Sequence, residues 1–171
     1  MEINDFVGAY DERPFLRQPF YCCGYTCAGN GMSLIMVKNV FCNVSIESFG
    51  TSLAKGVTGY VSSIEDAVLK GDFKPLIPVP PPNVEKCYEC DNGMAQHINY
   101  KTPSNNQSGK CSVCNGAGKT NLLAPVIIEG IPIAYRNYLL LSSGKNVQVA
   151  KSTNSILFKC DLGIGKVMGT T

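Results

Sequence analysis

Two Cys-x-x-Cys pairs, one made by Cys87 and Cys90 and the other by Cys111 and Cys114, stand twenty residues apart in a polar stretch rich in Asn and Gly. Residues 83–122 hold too few large apolar side chains to close a core, and below about 40 residues a metal commonly takes that role. Zinc takes four ligands in a tetrahedron, and each Cys-x-x-Cys turn brings two sulfurs to one side of the ion at about 2.3 Å. Gly93 follows the first pair, and Gly116 and Gly118 follow the second, where the absence of a Cβ lets backbone N–H groups turn toward the thiolates. The spacing therefore predicts one structural Zn2+ held by Cys87, Cys90, Cys111 and Cys114. Four thiolates leave no open position for water, so the ion would be scaffolding. The competing reading is a pair of redox disulfides. A redox Cys-x-x-Cys normally opens a helix in a βαβ unit, and neither pair has that setting. His97, the only histidine, could replace one cysteine as a ligand, but it reads more simply as a solvent-facing loop residue.

The other five cysteines, Cys22, Cys23, Cys27, Cys42 and Cys160, lie in apolar, strand-like surroundings. Nine cysteines cannot all pair within one chain, and metal thiolates plus buried thiols suit a reducing interior, so a cytoplasmic setting is expected. Met1–Asp5 carries acids where a secretory signal carries Lys or Arg, and no apolar run approaches the roughly 20 residues of a membrane span. The formal charge of +2 supplies no overall field for nucleic acid. Its distribution is uneven: residues 1–82 hold six basic and eight acidic side chains, and residues 123–171 hold five and two.

Along residues 6–42 the chain reads as extended. Pro19–Cys23 and Ser33–Val37 are strand-like, and Asn30-Gly31 between them suits a tight hairpin. Ser45–Lys55 is predicted as a short helix ending at Gly56, and Ser62-Ser63-Ile64-Glu65 as a capping box that opens a second, ending at Gly71. Pro75–Pro82 is stiff, cannot enter a central sheet, and reads as a spacer. Val126–Ile128 is predicted as a strand, with Gly130 and Pro132 starting a helix that ends at Gly144. Three short strands follow at Val147–Lys151, Ile156–Asp161 and Gly165–Gly169, giving β-α-β-β-β. The expected division is 1–82 and 123–171 as two parts of one sheet domain, with 83–122 as an insert.

Three familiar chemistries fail on spacing or context. Asn115–Thr120 resembles a phosphate loop, but Val113 stands where its first glycine belongs. Gly163–Gly169 is one residue too long for a dinucleotide fingerprint. A His-dependent nucleophile would have to use His97, inside the insert, so the chain is not expected to be an enzyme.

Val126 to Gly169, as strand, Ile-Pro helix entry, leucine-rich helix and three-strand meander, resembles a half-domain of bacterial DNA sliding clamps. Arg13-Pro14-Phe15-Leu16 and Ala28-Gly29-Asn30-Gly31-Met32-Ser33-Leu34 resemble the clamp's entry and hairpin motifs. Met32 and Ser33 depart from its His-Arg, and Asn30 from its Asp. Phage-encoded clamp-like proteins with a Cys-x-x-Cys insert are the nearest resemblance, and Cys111-x-x-Cys114-x-Gly116-x-Gly118 also resembles a cysteine-rich repeat of Hsp40-type co-chaperones. The clamp resemblance implies an α+β protein with a clamp-like antiparallel sheet, short helices and a small zinc-knuckle or zinc-ribbon insert. It implies a non-catalytic role in binding DNA or replication proteins, with phosphate contacts from Lys119, Arg136, Lys145 and Lys151. A single such domain can encircle DNA only as a homo-oligomer. The rival expectation is an inhibitor that docks on a host enzyme or defence complex, in the manner of anti-CRISPR proteins, and binds no nucleic acid. The partner surface, if on the insert, is expected between Asp91 and Lys110.

Overall fold

The computed structural model describes residues 1–8, 11–80, 86–87, 91, 94–97, 107–110 and 124–170. The N-terminal part opens with three short antiparallel strands, β1 (Phe20–Cys22), β2 (Tyr25–Gly29) and β3 (Ser33–Val37). The sequence predicts one hairpin here; there are two. Cys23 (φ 53°) and Gly24 (φ 82°) form a two-residue turn of the type I′ class, which inserts β2 between the expected strands. At the second turn Gly31 supplies the positive φ of 84°, while Asn30 acts through its side chain. Its Oδ1 accepts from the Met32 and Ser33 N–H groups at 3.0 and 2.9 Å.

A 3-10 turn at Ile46–Phe49 leads into α1 (Thr51–Lys70), a single 20-residue helix where two short ones were expected. Gly56 and Gly59 lie inside it and do not break it. Interior glycines cost about 1 kcal/mol each relative to alanine. Burying Val61 and Ile64 returns about 1.5–3 kcal/mol apiece, so the packed face wins. Ser62 and Ser63 are mid-helix residues, and the helix does end at Gly71. A Cβ at Gly56 or Gly59 would meet open space. Gly56→Ala and Gly59→Ala are each expected to raise stability by about 0.5–1 kcal/mol, read as a shifted urea midpoint with an unchanged slope.

The proline-rich stretch is a strap, not a free spacer, in its described part. β4 (Lys74–Pro75) pairs with a strand from the other end of the chain, at the sheet edge where a proline is tolerated. Leu76 donates its N–H to the Val147 carbonyl at 3.0 Å, and the Val79 N–H reaches the Tyr138 hydroxyl at 2.8 Å. The insert contributes a separate hairpin, β5 (Met94–His97) with β6 (Gln107–Lys110).

After the insert, β7 (Pro125–Ile128) and β8 (Ile131–Ala134) form another hairpin, followed by α2 (Tyr135–Ser142). Pro132 is therefore a strand residue, against the helix start expected for it. The reason is the turn: Glu129 (φ 48°) and Gly130 (φ 75°) both take the left-handed conformation that a type I′ hairpin requires. Ile131 and Ile133 then bury on the same side as Val126 and Ile128, while Ile127 is left out. The C-terminal order is thus ββαβββ, and the two strands before the helix form a sheet of their own. The final meander, β9 (Gln148–Ser152), β10 (Ser155–Lys159) and β11 (Ile164–Met168), forms as expected.

These pieces join in a seven-strand sheet of order β1-β2-β3-β11-β10-β9-β4, with every pairing antiparallel. The parts of the chain before and after the insert meet through β3 with β11 and β4 with β9. The strands alternate between two layers, since Ile156 and Phe158 enter one hydrophobic cluster and Leu157 the other. The β7–β8 hairpin, α2 and Phe6 cover the first face, and α1 covers the second. The class is α+β.

Candidate functional site

Of the predicted zinc ligands, Cys87 is described and is 1% exposed. Cys90, Cys111 and Cys114 lie outside the described residues, as does Lys119. The backbone around them is informative. Asp91, bonded to Cys90, exchanges backbone hydrogen bonds with Met94 at 3.0 and 2.9 Å. Met94 in turn pairs with Lys110, bonded to Cys111. One end of the β5–β6 hairpin therefore gathers the attachment points of both Cys-x-x-Cys pairs. His97 is a strand residue opposite Gln107, in place of the loop residue expected, and the 91–110 segment contains a hairpin where a loop was expected. Among the described residues no group of three or more His, Cys, Asp or Glu could hold a metal.

The described members of the predicted phosphate-contact set, Arg136, Lys145 and Lys151, lie on different parts of the fold. Lys145 and Lys151 are exposed but lie apart: Lys145 precedes β9 and accepts through its carbonyl from the Asp161 N–H beyond β10, whereas Lys151 lies within β9 opposite Ile156. Lys151 Nζ lies beside Gly130, at the β7–β8 turn. Arg136 is half-buried on α2, and among the described residues its Nε has no hydrogen-bond partner. Other lysines lie over rings: Lys159 above Phe73 at 4.5 Å and Lys166 above Tyr60 at 5.5 Å.

What the fold does build is a groove of about 990 Å³ between the β2–β3 turn, the 3-10 turn at Pro14–Arg17 and the first half of α1. Phe15, Phe49, Leu53, Val57, Tyr60 and Met168 are the principal apolar walls. The Phe15 ring meets Phe20 and Phe49 edge-on at 5.8 and 6.3 Å, which holds the floor. Among the described residues no carboxylate lines the groove, and Arg13 is the one charged residue in its lining. The N-terminus of α1 opens onto it: Gly50 offers no side chain as a cap, and the first turn holds no acid. The free N–H groups and helix dipole there favour a negative group. Phe49 and Leu53 stand four residues apart in the sequence, a helical spacing that reads as core. That this side is only half covered depends on where β3 and β11 place Met32 and Met168.

Arg13 is positioned by Asp11, which accepts from its Nε and Nη2, both at 2.8 Å. The guanidinium lies against Gly31, where a Cβ would collide with it. The Arg13 hydrogen bonds pull the Asp11 carboxyl down to about 2. The folded value lies below the ordinary value of about 3.9, so the pair stabilises the fold above pH 4 and loses its effect as pH falls through 2. Arg13 is half exposed, so the contribution is about 0.5–1 kcal/mol. Asp11→Asn is expected to lower stability by that amount at pH 6 and to match the parent chain near pH 2, in paired denaturant titrations.

A second pocket of about 420 Å³ contains Tyr25, Lys38 and Glu65. The Tyr25 hydroxyl donates to Glu65 at 2.5 Å, and Lys38 Nζ lies 3.6 Å from the same carboxylate. Burial, and then the bond to Glu65, push the Tyr25 phenol up, so it serves as a donor and not as a base. The trio ties β2 to α1.

No protein family, no curated protein and no solved structure matches this chain.

Proposed function

We propose that the chain is a non-catalytic docking protein whose sheet body receives a segment of a partner protein in the α1 groove, while one structural zinc staples the 83–122 insert. The groove carries this reading. Its volume lies at the upper end of that of ligand-sized clefts, its walls are aromatic and aliphatic, and among the described residues no cluster of titratable groups converges on it. Its charge pattern defines the occupant: bulky apolar side chains against Phe15, Val57 and Tyr60, with an acidic group toward the first turn of α1. Both the clamp-like reading, which invokes replication proteins, and the inhibitor reading, which invokes a host enzyme or defence complex, call for such a surface. DNA contact through Lys119, Arg136, Lys145 and Lys151 has less support, because Lys145 sits beside Asp161 and Lys151 opposite Ile156, five residues apart along the chain that forms β10 and its end.

The zinc assignment rests on the hairpin register. Asp91 and Lys110 both pair with Met94, which suits a ribbon that presents two Cys-x-x-Cys turns to one ion. Cys87, Cys90, Cys111 and Cys114 would hold it, and its role would be to replace the core that the insert lacks.

Selection of a random displayed peptide library on the immobilised chain tests the docking claim. Enriched peptides should combine aromatic or aliphatic anchors with Asp or Glu, and Tyr60→Glu should abolish their binding. Tyr60 is 38% exposed, so that variant should fold. Enrichment that is indifferent to Tyr60→Glu, or none at all, rejects the groove. A gel shift with duplex DNA that weakens steeply with added salt would instead favour the phosphate-contact reading.

A further inference from the structure

The β1–β2 turn carries two adjacent thiols that neither the groove nor the insert uses. Cys22 ends β1 and is 2% exposed, packed in the layer under α1, whereas Cys23 is exposed. Their Sγ atoms lie 3.6 Å apart. Cys23 holds φ 53° at the first position of a type I′ turn, where Asn, Asp or Gly is the ordinary choice. A left-handed non-glycine residue costs about 1–2 kcal/mol, and an exposed side chain regains little of that by packing. A backbone cost kept at an exposed thiol beside a second thiol is the kind of local strain found at functional positions.

Adjacent thiols can close a disulfide or chelate one centre, and distance separates the two. A disulfide needs sulfurs at about 2.05 Å and Cα atoms usually 4.4–6.8 Å apart, whereas neighbours across a trans peptide have Cα atoms about 3.8 Å apart. Trivalent arsenic is pyramidal, and two sulfurs bound to it at about 2.3 Å, with an angle of about 95° between the bonds, stand about 3.4 Å apart. The observed 3.6 Å fits chelation with almost no movement. We propose that Cys22 and Cys23 form a bidentate dithiol site for a thiophilic centre of the trivalent-arsenical class.

The chemistry suits the thiols as they stand. Burial pushes the Cys22 thiol up to about 11, so it meets the ligand protonated. An aryl arsenic(III) oxide carries its own proton acceptor. Each thiol gives its proton to the oxide oxygen, two As–S bonds form, the As–O bonds break, and one water leaves. Arsenic remains trivalent, and no oxidant is required. Thr58 Oγ1, 3.7 Å from Cys22 Sγ, is the nearest polar neighbour on α1.

The test uses the full chain, reduced and zinc-loaded, titrated with phenylarsine oxide. Peptide mapping by mass spectrometry should place one arsenic bridging Cys22 and Cys23. The adduct should resist a monothiol and yield to a 1,2-dithiol. Cys23→Ser changes only an exposed side chain, and it should make the adduct at least about a hundredfold more sensitive to monothiol, the factor lost when a second linked contact is removed. Arsenic found only on other cysteines would overturn the proposal. So would an adduct of unchanged resistance in Cys23→Ser, or formation of a Cys22–Cys23 disulfide in place of arsenic uptake.

Discussion

Cys111→Ser is expected to remove the zinc and loosen residues 83–122 while the seven-strand sheet stays folded. Structural zinc contributes an apparent 10–16 kcal/mol in small zinc-binding peptides at neutral pH, far more than any other interaction open to a segment of this composition. The sheet should be spared because its strands come from residues 20–75 and 148–168, and among the described residues the insert adds no side chain to either hydrophobic cluster. Elemental analysis of the parent chain should give one zinc, and of the variant close to none. Limited proteolysis should then cut between residues 83 and 122 first, with the thermal transition of the body moved little. A variant that loses the whole transition would place the insert within the cooperative core. A parent chain without zinc would sink the metal assignment while leaving the groove reading intact.

Gly165→Ala should be the most damaging one-carbon addition in the sheet. Gly165 pairs across strands with Phe158 on one side and Ile35 on the other. A Cβ there would run into the Leu34 carbonyl oxygen and the Phe158 ring. Phe158 is fully buried and stacked on Phe6 with 5.8 Å between ring centroids, so the ring has nowhere to retreat. Overpacking of a dense core costs about 1–3 kcal/mol, and a clash with backbone adds to it, so a loss of about 3 kcal/mol or more is expected. The double variant Gly165→Ala/Phe158→Leu should recover only part of that loss, because the carbonyl remains. Denaturant midpoints of the three chains measure both effects, and a neutral single variant would contradict the packing described for β10 and β11.

Local chemistry made some elements legible and concealed others. Gly71 after Lys70 marked a true helix end, and Asn30-Gly31 marked a true turn. Gly56 misled, because a glycine weakens a helix by about 1 kcal/mol while the burial of Val61 and Ile64 outweighs it. Pro132 misled because the helix start and the edge of a hairpin both tolerate a missing N–H, and Glu129-Gly130 decided for the hairpin. Cys23 reads as the end of a strand in the sequence because cysteine is an uncommon first residue of a type I′ turn.

The sequence by itself determined the α+β class, the C-terminal meander, the position of most turns, and the two Cys-x-x-Cys pairs on which the proposed zinc site rests. Each depends on residues within a few positions of one another, where propensity and turn geometry act. Only the tertiary structure decided the groove. Its walls come from residues 13–20, 29–34, 49–60 and 168, and they become neighbours when β3 pairs with β11 and α1 packs across the sheet. The antiparallel β9–β10 pairing likewise keeps Lys145, beside Asp161, apart from Lys151, opposite Ile156, because an extended strand rises about 3.4 Å per residue between those two partners.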